Sequence, residues 1–362
     1  MEILSGAKSL KKKRNSSVNR KRYNKSGIKG IPAVCVILTM LVCCGIMAGC
    51  SVDTVPVSDT QTAYQGEADS TDTASSQEEG YLSKDICVIP KKKNIATDAA
   101  ITADAALLID DTRNKALYAQ NIYASEYPAS VSKIATALMT FKYAKFDDTV
   151  TISYNASHVT EPGARLCGFK EGDKISVKDL LYGMMVYSGN DAAVALAEHI
   201  SGSETDFAAE MNQEMVAIGA SGTHFVNASG LHDDQHYTTA YDLYLIFHEL
   251  LKYDDFKELL QCTKYTAEWT DAQGKKQSLD ITSTDPYLTG SRQAPKPLTV
   301  IGGKSGTTIK AGSCLIMYSQ DKKNRDYISV ILKADSSYSM YTQMNHMLEY
   351  VKSCLLYTSD AA

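Results

Sequence analysis

The sequence predicts an α/β fold in which an antiparallel sheet is covered by helices and is accompanied by a helical subdomain. Two strand-like segments open the body of the chain, a long stretch with helical periodicity follows, and strand-like segments return before a final helix. Short polar turns separate neighbouring strands, which is typical of antiparallel hairpins. Segments in this order favour a layered α/β domain.

The first fifty residues have the composition of an export signal. Ten Lys and Arg against one Glu occupy residues 1–30, and no charged residue follows between Ile31 and Cys50. A basic segment, an apolar segment and small residues before a cleavage site make up such a signal. The ending Met47-Ala48-Gly49-Cys50 resembles the lipobox of bacterial lipoproteins, which implies lipidation of Cys50. The alternative is an uncleaved anchor, since about twenty apolar residues span a bilayer. Both interpretations tether the body through its N-terminus to the outer, extracytoplasmic face of the cytoplasmic membrane.

The charge balance of the remaining chain argues against a nucleic-acid partner. Without residues 1–30, the totals of 37 basic and 42 acidic residues fall to 27 and 41, a net charge of −14. Such a charge repels a polyanion. The five cysteines outside the leader include no C-x-x-C pair and have no His nearby at ligand spacing. We therefore predict neither a disulfide framework nor a metal or cofactor site.

Composition divides the chain into four parts. Residues 1–50 form the leader, and residues 51–90 are rich in Ser, Thr, Asp, Glu and Gln, which predicts an unfolded tether. Residues 91–354 form the folded body. Residues 355–362 resemble translated sequencing-adapter sequence, so we give this tail no structural role.

The first elements of the body follow from its apolar pattern. Residues 105–110 form an apolar run consistent with a buried strand, and residues 116–120 form a second strand after a polar turn. Apolar residues recur at helical spacing behind Pro128 and predict a helix from Ser130 to about Tyr143. The recurring residues are Val131, Ile134, Leu138 and Phe141.

The middle of the body is predicted to be helical and its end to return to strands. Helices are expected after the capping box of Ser176 and Asp179, over residues 191–200, over residues 207–218 before Gly219, and from the capping box of Thr239 and Asp242 to Tyr253. Strands are expected over residues 304–308, 313–318 and 327–332, followed by a closing helix through Met344, Leu348, Val351 and Leu355.

Ser130 and Lys133 stand three residues apart at the start of the first predicted helix, so both side chains share one helix face. A serine there lies in the positive field of the helix N-terminus. A lysine one turn later can take the serine proton only if burial or a second cation lowers the lysine pKa. The pair predicts a nucleophile and its base, although a lone Ser-x-x-Lys is more often a capping serine near a surface lysine.

Two further motifs follow in order along the chain. Ser188-Gly189-Asn190 lies in a loop between helices, where a hydroxyl and an amide can point the same way. Lys304-Ser305-Gly306 opens a strand, and its glycine lets a ligand approach the backbone. Each tripeptide alone is a common loop sequence. Ser-x-x-Lys, Ser-x-Asn and Lys-Thr/Ser-Gly in this order resemble the signature of the penicillin-binding proteins and serine β-lactamases.

Longer blocks extend the resemblance to the low-molecular-weight serine D-alanyl-D-alanine carboxypeptidases of peptidase family S11. The blocks are residues 129–133, 171–173, 180–183, 188–193, 227–231 and 236–242. The resemblance covers about residues 105–332 and implies a β-lactamase/DD-peptidase-like fold. Ser305 replaces the usual Thr and keeps its hydroxyl, whereas Arg113-Asn114 replaces the usual Thr-Gly in the first hairpin turn.

The resemblance implies a catalytic role for four residues. Ser130 would attack the carbonyl between two D-alanines and form an acyl-enzyme, with Lys133 as its base. Ser188 would relay the proton to the leaving amine, and Asn190 would hold the substrate amide and orient Lys133. Water would then release the acyl group.

The resemblance also implies a substrate-binding role for residues 304–308. The lysine and hydroxyls of this stretch would bind the free carboxylate of the substrate, and backbone N–H groups of Ser130 and Thr307 would form the oxyanion hole. The implied substrate-binding residues are Lys304, Ser305, Gly306, Thr307 and Thr308. The implied partners are peptidoglycan stem peptides ending in D-Ala-D-Ala and β-lactam antibiotics, with no cofactor.

Three other interpretations compete with this one. A class A β-lactamase carries a Glu-x-x-Leu-Asn pentad that this sequence lacks. A penicillin-sensing module would acylate without turnover, and the three motifs leave that possibility open. His236 and Asp242 suggest a Ser-His-Asp triad, which the resemblance disfavours because that block resembles a structural turn before a helix.

Overall fold

A computed structural model describes residues 85–90 and 94–352 of the chain. The predicted leader with Cys50, most of the predicted tether, and the C-terminal tail lie outside the described residues. Within the described ranges, no helix combines the length and the apolar character needed to cross a bilayer.

The described part of the chain contains nine strands in two antiparallel sheets. The larger sheet has the order β2-β1-β9-β8-β7, and the smaller has the order β3-β4-β5-β6. The strands are β1 (Ala105–Asp110), β2 (Lys115–Gln120), β3 (Thr149–Thr151), β4 (Lys174–Ser176), β5 (Lys264–Thr270), β6 (Lys276–Thr282), β7 (Thr299–Thr308), β8 (Gly312–Gln320) and β9 (Asp326–Ala334).

The larger sheet confirms the strands predicted at both ends of the body. All six residues of β1 are buried, as expected for a central strand with apolar residues on both faces. Asn114 turns the chain from β1 into β2 in the left-handed conformation, which Asn tolerates better than most residues. Strand β7 begins at Thr299, five residues before the predicted start, because its register against β8 continues to Gln320.

The smaller sheet was not predicted. Strands β3 and β4 have three residues each, too few to show an alternating pattern. Residues 149–151 pair with residues 174–176, so the two strands are not neighbours in the sequence. Strands β5 and β6 form a hairpin on the outer side of β4, which pairs with β5 through Lys174 and Ile175. This sheet lies beside the helical subdomain rather than within the larger sheet.

Eight helices are present in the described residues, mostly where helical periodicity predicts them. They are α1 (Lys133–Tyr143), α2 (Tyr154–Ser157), α3 (Val177–Val186), α4 (Asn190–Ser201), α5 (Glu204–Ala217), α6 (Ala240–Leu250), α7 (Asp254–Leu260) and α8 (Ser337–Leu348). The side chains of Ser176 and Thr239 cap α3 and α6 by accepting the N–H of Asp179 and Asp242, as the two capping boxes predict.

Three helices differ from the prediction, and one of them is the closing helix, which begins at Ser337, seven residues before Met344. Residues 129–132 form a separate 3-10 turn, and α1 begins only at Lys133, so Ser130 stands on the turn in front of the helix. The helix predicted to run to Tyr253 ends at Leu250, and a second helix starts at Asp254. The acidic pair at the start of α7 suits a helix N-terminus, whose field attracts negative charge.

The larger sheet lies between two hydrophobic cores. One face of β1 packs through Leu107 and Ile109 against the helical subdomain, including α1, α3, α4 and α6. The other face packs through Leu108 against Met344 and other residues of α8. Alternate residues of β1 thus pack into different cores. A shift of one residue in the strand pairing would exchange the two sets of side chains, so the packing fixes the register of the sheet.

The N-terminal segment of the described chain is packed against this body. Cys87 and Ile89 are buried, although both fall within the predicted tether. The Tyr244 hydroxyl accepts the N–H of Cys87 at 2.9 Å, and Ile95 pairs with Ala119 along the outer edge of β2. The packed body therefore begins before residue 91.

Candidate active site

Ser130 stands on a strained turn between β2 and α1. The residue before it, Ala129, has a φ of +49°, which is unusual for a residue with a side chain. Two glycines make this turn possible. A Cβ on Gly230 would lie 1.9 Å from the Ala129 carbonyl oxygen, and a Cβ on Gly306 would lie 2.5 Å from the Ser130 nitrogen. The backbone around Ser130 is therefore held between two chain segments that approach it closely.

Lys133 lies directly beneath Ser130 and has no exposed surface. Its Nζ donates to Asn190 Oδ1 at 2.6 Å and to the Ser229 carbonyl at 2.5 Å, and it lies 3.0 Å from Ser130 Oγ. Burial lowers the pKa of Lys133 well below its ordinary value of 10.5, and the positive charge of Lys304 lowers it further. A neutral amine in contact with Ser130 can accept the hydroxyl proton.

The N-terminus of α4 places Asn190 against Lys133. The next residue, Asp191, is buried and accepts the N–H of Cys167 at 2.9 Å and the N–H of Gly168 at 2.8 Å. The Asn190 N–H in turn donates to the Arg165 carbonyl at 2.8 Å. These bonds hold the loop of residues 165–168 beside the first turn of α4.

Lys304 forms a second polar pair on the opposite wall of the site. Its Nζ donates to Ser188 Oγ at 3.0 Å and to the Ser305 carbonyl at 2.8 Å. Burial lowers the pKa of Lys304 to about 7, and the nearby charge of Arg165 contributes in the same direction. Ser188 adopts a φ of +69°, so the loop before α4 is also strained at a residue of the site.

Strand β7 carries the remaining predicted residues along one edge of the larger sheet. Because β7 is the last strand in the order, its outer edge has no strand partner among the described residues. Thr308 Oγ1 accepts the N–H of Ala311 at 3.0 Å, and Thr307 Oγ1 lies 3.4 Å from Ser313 Oγ. Both hydroxyls therefore already have a partner in the hairpin between β7 and β8.

A cleft of about 860 Å³ joins these groups. Of the nine sequence-predicted catalytic and substrate-binding residues, eight line it, and the ninth, Lys133, lies beneath its floor. The eight are Ser130, Ser188, Asn190, Lys304, Ser305, Gly306, Thr307 and Thr308. Within the described ranges no group of three His, Cys, Asp or Glu side chains is placed to hold a metal ion.

Comparison with known proteins identifies the family. The family model described as D-alanyl-D-alanine carboxypeptidase, Peptidase S11, matches residues 92–336. The chain belongs to the Peptidase S11 family. This confirms the family that the three motifs and their surrounding blocks suggest.

Several S11 relatives match most of the body. The D-alanyl-D-alanine carboxypeptidase DacF of Bacillus subtilis is 32% identical over 263 residues, and the match covers 71% of this chain and 64% of that protein. DacD of Salmonella typhimurium is 30% identical over 260 residues, covering 69% and 63%. The S11 chain described here thus spans slightly less than two thirds of the length of these relatives.

Solved structures confirm the DD-peptidase fold. The crystal structure of the Streptomyces K15 DD-transpeptidase superposes with a TM-score of 0.64 at 25% identity, covering 70% of this chain and 98% of that one. Penicillin binding protein 5 from Haemophilus influenzae gives a TM-score of 0.61 at 27% identity, covering 70% and 72%. The antiparallel sheet with covering helices is therefore the fold of these relatives.

The sequence did not reveal every group at the S11 site. The Ser229 carbonyl that accepts from Lys133 has no side-chain signature, but it lies in the block of residues 227–231 that resembles the family. Asn227 Oδ1 accepts the N–H groups of Ser229 at 3.1 Å and Gly230 at 2.7 Å, which shapes the turn that carries the carbonyl. Arg165 lines the cleft with its guanidinium 5.2 Å from the centre of the Tyr187 ring.

His236 does not form the triad that its spacing to Asp242 suggests. Its Nε2 lies 2.7 Å from Ser132 Oγ, and its Nδ1 accepts the N–H of Val226 at 3.1 Å, so both ring nitrogens are engaged elsewhere. Ser130 contacts Lys133 instead. The geometry agrees with the family resemblance, which disfavours a histidine base.

Acid is expected to destabilise this S11 protein partly through His236. Burial lowers the pKa of His236 from 6.5 to about 3, so between those values an unfolded chain binds a proton that the folded chain excludes. The free energy of unfolding should therefore fall as the pH falls from 6.5 towards 3, by up to about 1.4 kcal/mol per pH unit for this one proton.

Urea unfolding of the wild type and His236→Gln at several pH values between 7.5 and 4 measures this effect. Carboxylates contribute equally to both curves, and the glutamine does not titrate. The variant should show the shallower dependence of unfolding free energy on pH. Parallel curves would mean that His236 takes up its proton equally in the folded and unfolded states.

Proposed function

We propose that the protein is a serine D-Ala-D-Ala carboxypeptidase that removes the terminal D-alanine from peptidoglycan stem pentapeptides and binds penicillin at the same site. The observation that carries the proposal is the fully buried Lys133 amine, 3.0 Å from Ser130 Oγ, at the floor of a cleft lined by the other two motifs. Family membership supports the same activity.

Acylation begins at Ser130. Neutral Lys133 takes the hydroxyl proton as Ser130 Oγ attacks the carbonyl carbon between the two D-alanines. Asn190 accepts one hydrogen of the Lys133 amine, which supports its role as the group that orients the base. The negative charge that develops on the carbonyl oxygen is stabilised by the N–H groups of Ser130 and Thr307.

Collapse of the tetrahedral intermediate breaks the peptide bond and requires a proton on the leaving amine. Ser188 supplies it, and the Lys304 ammonium, 3.0 Å from Ser188 Oγ, replaces the proton that the serine gives up. Lys304 is suited to this exchange because its pKa of about 7 allows both protonation states at neutral pH.

Substrate binding uses the free edge of β7. An extended peptide can pair with the backbone of an unpartnered strand, which fits a stem peptide lying along residues 304–308. Lys304 with the hydroxyls of Ser305 and Thr308 binds the terminal carboxylate. Gly306 keeps this stretch close to Ser130, since a side chain there would meet the Ser130 nitrogen.

Water completes the reaction by hydrolysing the acyl-enzyme. An amine could take the place of water, and the Streptomyces K15 neighbour is named a DD-transpeptidase. The partition between hydrolysis and transfer to an added amine, such as a D-amino acid, is measurable in the same assay. We propose that hydrolysis dominates, as the names of the carboxypeptidase relatives suggest.

Release of D-alanine from a synthetic peptide ending in D-Ala-D-Ala tests the function. We expect the wild type to release many D-alanine molecules per enzyme molecule and Ser130→Ala to release none above background, because the acyl-enzyme can no longer form. A fluorescent penicillin should label the wild type covalently and leave Ser130→Ala unlabelled. Labelling without D-alanine release would contradict a carboxypeptidase and indicate a penicillin-sensing module, whereas rapid penicillin hydrolysis would indicate a β-lactamase.

We further propose that the N-terminus tethers the protein to the outer face of the cytoplasmic membrane. The basic leader, the uncharged segment that ends at Cys50 and the polar residues after it support this location. Metabolic labelling with a fatty acid, compared between wild type and Cys50→Ser, tests lipidation. Loss of label in the variant is expected, and an unlabelled but membrane-bound wild type would indicate an uncleaved anchor instead.

A further inference from the structure

Two buried residues beside the nucleophile have no role in the chemistry described above. Ser132 has no exposed surface and His236 is 2% exposed, and their side chains meet at 2.7 Å. Ser132 Oγ also donates to the Ala129 carbonyl at 2.9 Å. Three polar groups are thus connected in a row that ends at the peptide bond in front of Ser130.

The direction of the hydrogen bonds in this row follows from its outer end. The Val226 N–H points at His236 Nδ1, so Nδ1 is the acceptor and the ring proton is on Nε2. Nε2–H then donates to Ser132 Oγ. The Ser132 hydroxyl has its own proton free to donate to the Ala129 carbonyl, which is the geometry observed. His236 and Ser132 thus each accept one hydrogen bond and donate one, and the row ends on the Ala129 carbonyl, which accepts.

The last group in the row belongs to the same peptide unit as the Ser130 N–H. A peptide unit is planar, and this one is trans, so its C=O and N–H point in opposite directions. A hydrogen bond that fixes the direction of the Ala129 C=O therefore also fixes the direction of the Ser130 N–H. A carbonyl that accepts a hydrogen bond also polarises its peptide unit, which strengthens the N–H as a donor.

This peptide unit needs such a constraint because its backbone is strained. Ala129 has a φ of +49°, and the Ala129 carbonyl lies against Gly230 so closely that no side chain fits between them. A strained residue keeps its conformation only where its surroundings over-determine it. Among the side chains of the described residues, Ser132 is the one whose hydrogen bond acts on this carbonyl directly.

We propose that Ser132 and His236 are positioning residues that aim the Ser130 N–H into the oxyanion hole through the Ala129 carbonyl. The proposal rests on the proposed function, in which the Ser130 N–H stabilises the tetrahedral intermediate. Neither side chain touches the substrate. Their effect should therefore appear in the rate of the chemical step rather than in the binding of the substrate that precedes it.

The test compares four single variants and one double variant by their reaction with a fluorescent penicillin. The kinetics are separated into the non-covalent affinity and the rate of Ser130 acylation. Ser132→Ala removes the donor to the carbonyl. His236→Asn places an amide near the Nδ1 position, where it can still accept from Val226 but cannot reach Ser132. His236→Gln extends to the Nε2 position and retains a donor for Ser132. Ser319→Ala is the matched control, since it removes another fully buried serine hydroxyl, one with no hydrogen-bond partner among the described residues.

We expect Ser132→Ala to slow the acylation step by about 10- to 100-fold, less than the roughly 100- to 1000-fold loss that follows removal of an oxyanion donor outright. His236→Asn should slow it by about 10-fold, and His236→Gln should stay within about threefold of the wild type. The double variant Ser132→Ala/His236→Asn should be no slower than Ser132→Ala, because both changes break one row. The non-covalent affinity for penicillin should be unchanged in every variant. The acylation rate should be unchanged in Ser319→Ala.

A second probe reports on the oxyanion hole directly. A peptide boronic acid forms a tetrahedral adduct with a serine nucleophile, and one of its oxygens occupies the oxyanion position. Its affinity should fall in Ser132→Ala by about the same factor as the acylation step, and thermal unfolding run in parallel shows whether each variant is folded. A folded Ser132→Ala that acylates and binds the boronate like the wild type would overturn the proposal. Multiplying effects in the double variant would also overturn it.

These outcomes are separate from those that decide the proposed function. If the wild type is labelled by penicillin but releases no D-alanine, the carboxypeptidase fails while the comparison of acylation rates still decides the role of Ser132 and His236. If penicillin does not label Ser130 at all, the premise is wrong and both proposals fall.

Discussion

Replacing Lys133 by alanine is expected to slow acylation of Ser130 by about 10,000-fold, the upper end of what a general base contributes. The amine is the one base in contact with the Ser130 hydroxyl among the described residues, and its burial lowers its pKa and so favours the neutral form. Stopped-flow or gel-based labelling with a fluorescent penicillin measures the rate. D-alanine release should fall in parallel, because acylation precedes it.

Lys133→Arg provides the control for this prediction. Arginine keeps a long side chain and a donor for Asn190 and Ser229, but it cannot be deprotonated in a protein. It should therefore be as inactive as the alanine variant. An arginine variant that acylates at more than about a tenth of the wild-type rate would show that Lys133 acts through its charge and not as a base.

Replacing Gly230 by alanine is expected to cost more than about 4 kcal/mol of unfolding free energy, a loss that few single substitutions reach. The new Cβ would lie 1.9 Å from the Ala129 carbonyl oxygen, and a backbone oxygen cannot move aside as a flexible side chain can. Any adjustment moves the peptide unit in front of Ser130. Acylation of whatever protein folds should fall at least about 100-fold, as expected when a reacting group is misplaced by an ångström.

Gly274→Ala is the control that separates the cost of the steric clash from the cost of placing a side chain on a residue in the left-handed conformation. Gly230 and Gly274 have nearly equal positive φ angles, +79° and +84°, but a Cβ on Gly274 would meet nothing within 4 Å. The control should lose only the roughly 1–2 kcal/mol that a left-handed conformation costs a residue with a side chain. Urea unfolding and penicillin labelling of both variants measure the difference. Equal losses of stability and unchanged acylation in Gly230→Ala would show that the turn at Ala129 is not confined by Gly230.

Most helices and strands of this S11 protein were predictable from local sequence patterns. The apolar run of residues 105–110 and the capping serine of α3 are signals that a few neighbouring residues complete by themselves. Strands β3 and β4 lack such a signal, because three residues cannot alternate often enough to differ from a loop. Their existence depends on β5, which lies almost ninety residues further along the chain than β4.

The site was predictable to the extent that its chemistry resides in side chains of recognisable motifs. Lys133, Ser188 and Lys304 fall into this group, and the fold brings them to one cleft. The Ser229 carbonyl and the partner of His236 do not, because a backbone oxygen has no residue type and because Ser132 and His236 are 104 residues apart. Such contacts depend on tertiary packing and leave no local pattern in the sequence.

The two edge strands of the larger sheet, β2 and β7, differ in whether another chain segment already pairs with them. At the β2 edge, Ile95 exchanges both backbone hydrogen bonds with Ala119, at 2.8 and 2.9 Å, and occupies the place where a foreign strand would pair. At the β7 edge, residues 304–308 line a cleft of about 860 Å³ together with Ser188 and Arg165. Exposed sheet edges are the usual route by which β-proteins associate into larger assemblies. Ile95 thus occupies one pairing position of the β2 edge, whereas in the proposed function the β7 edge pairs with the substrate peptide.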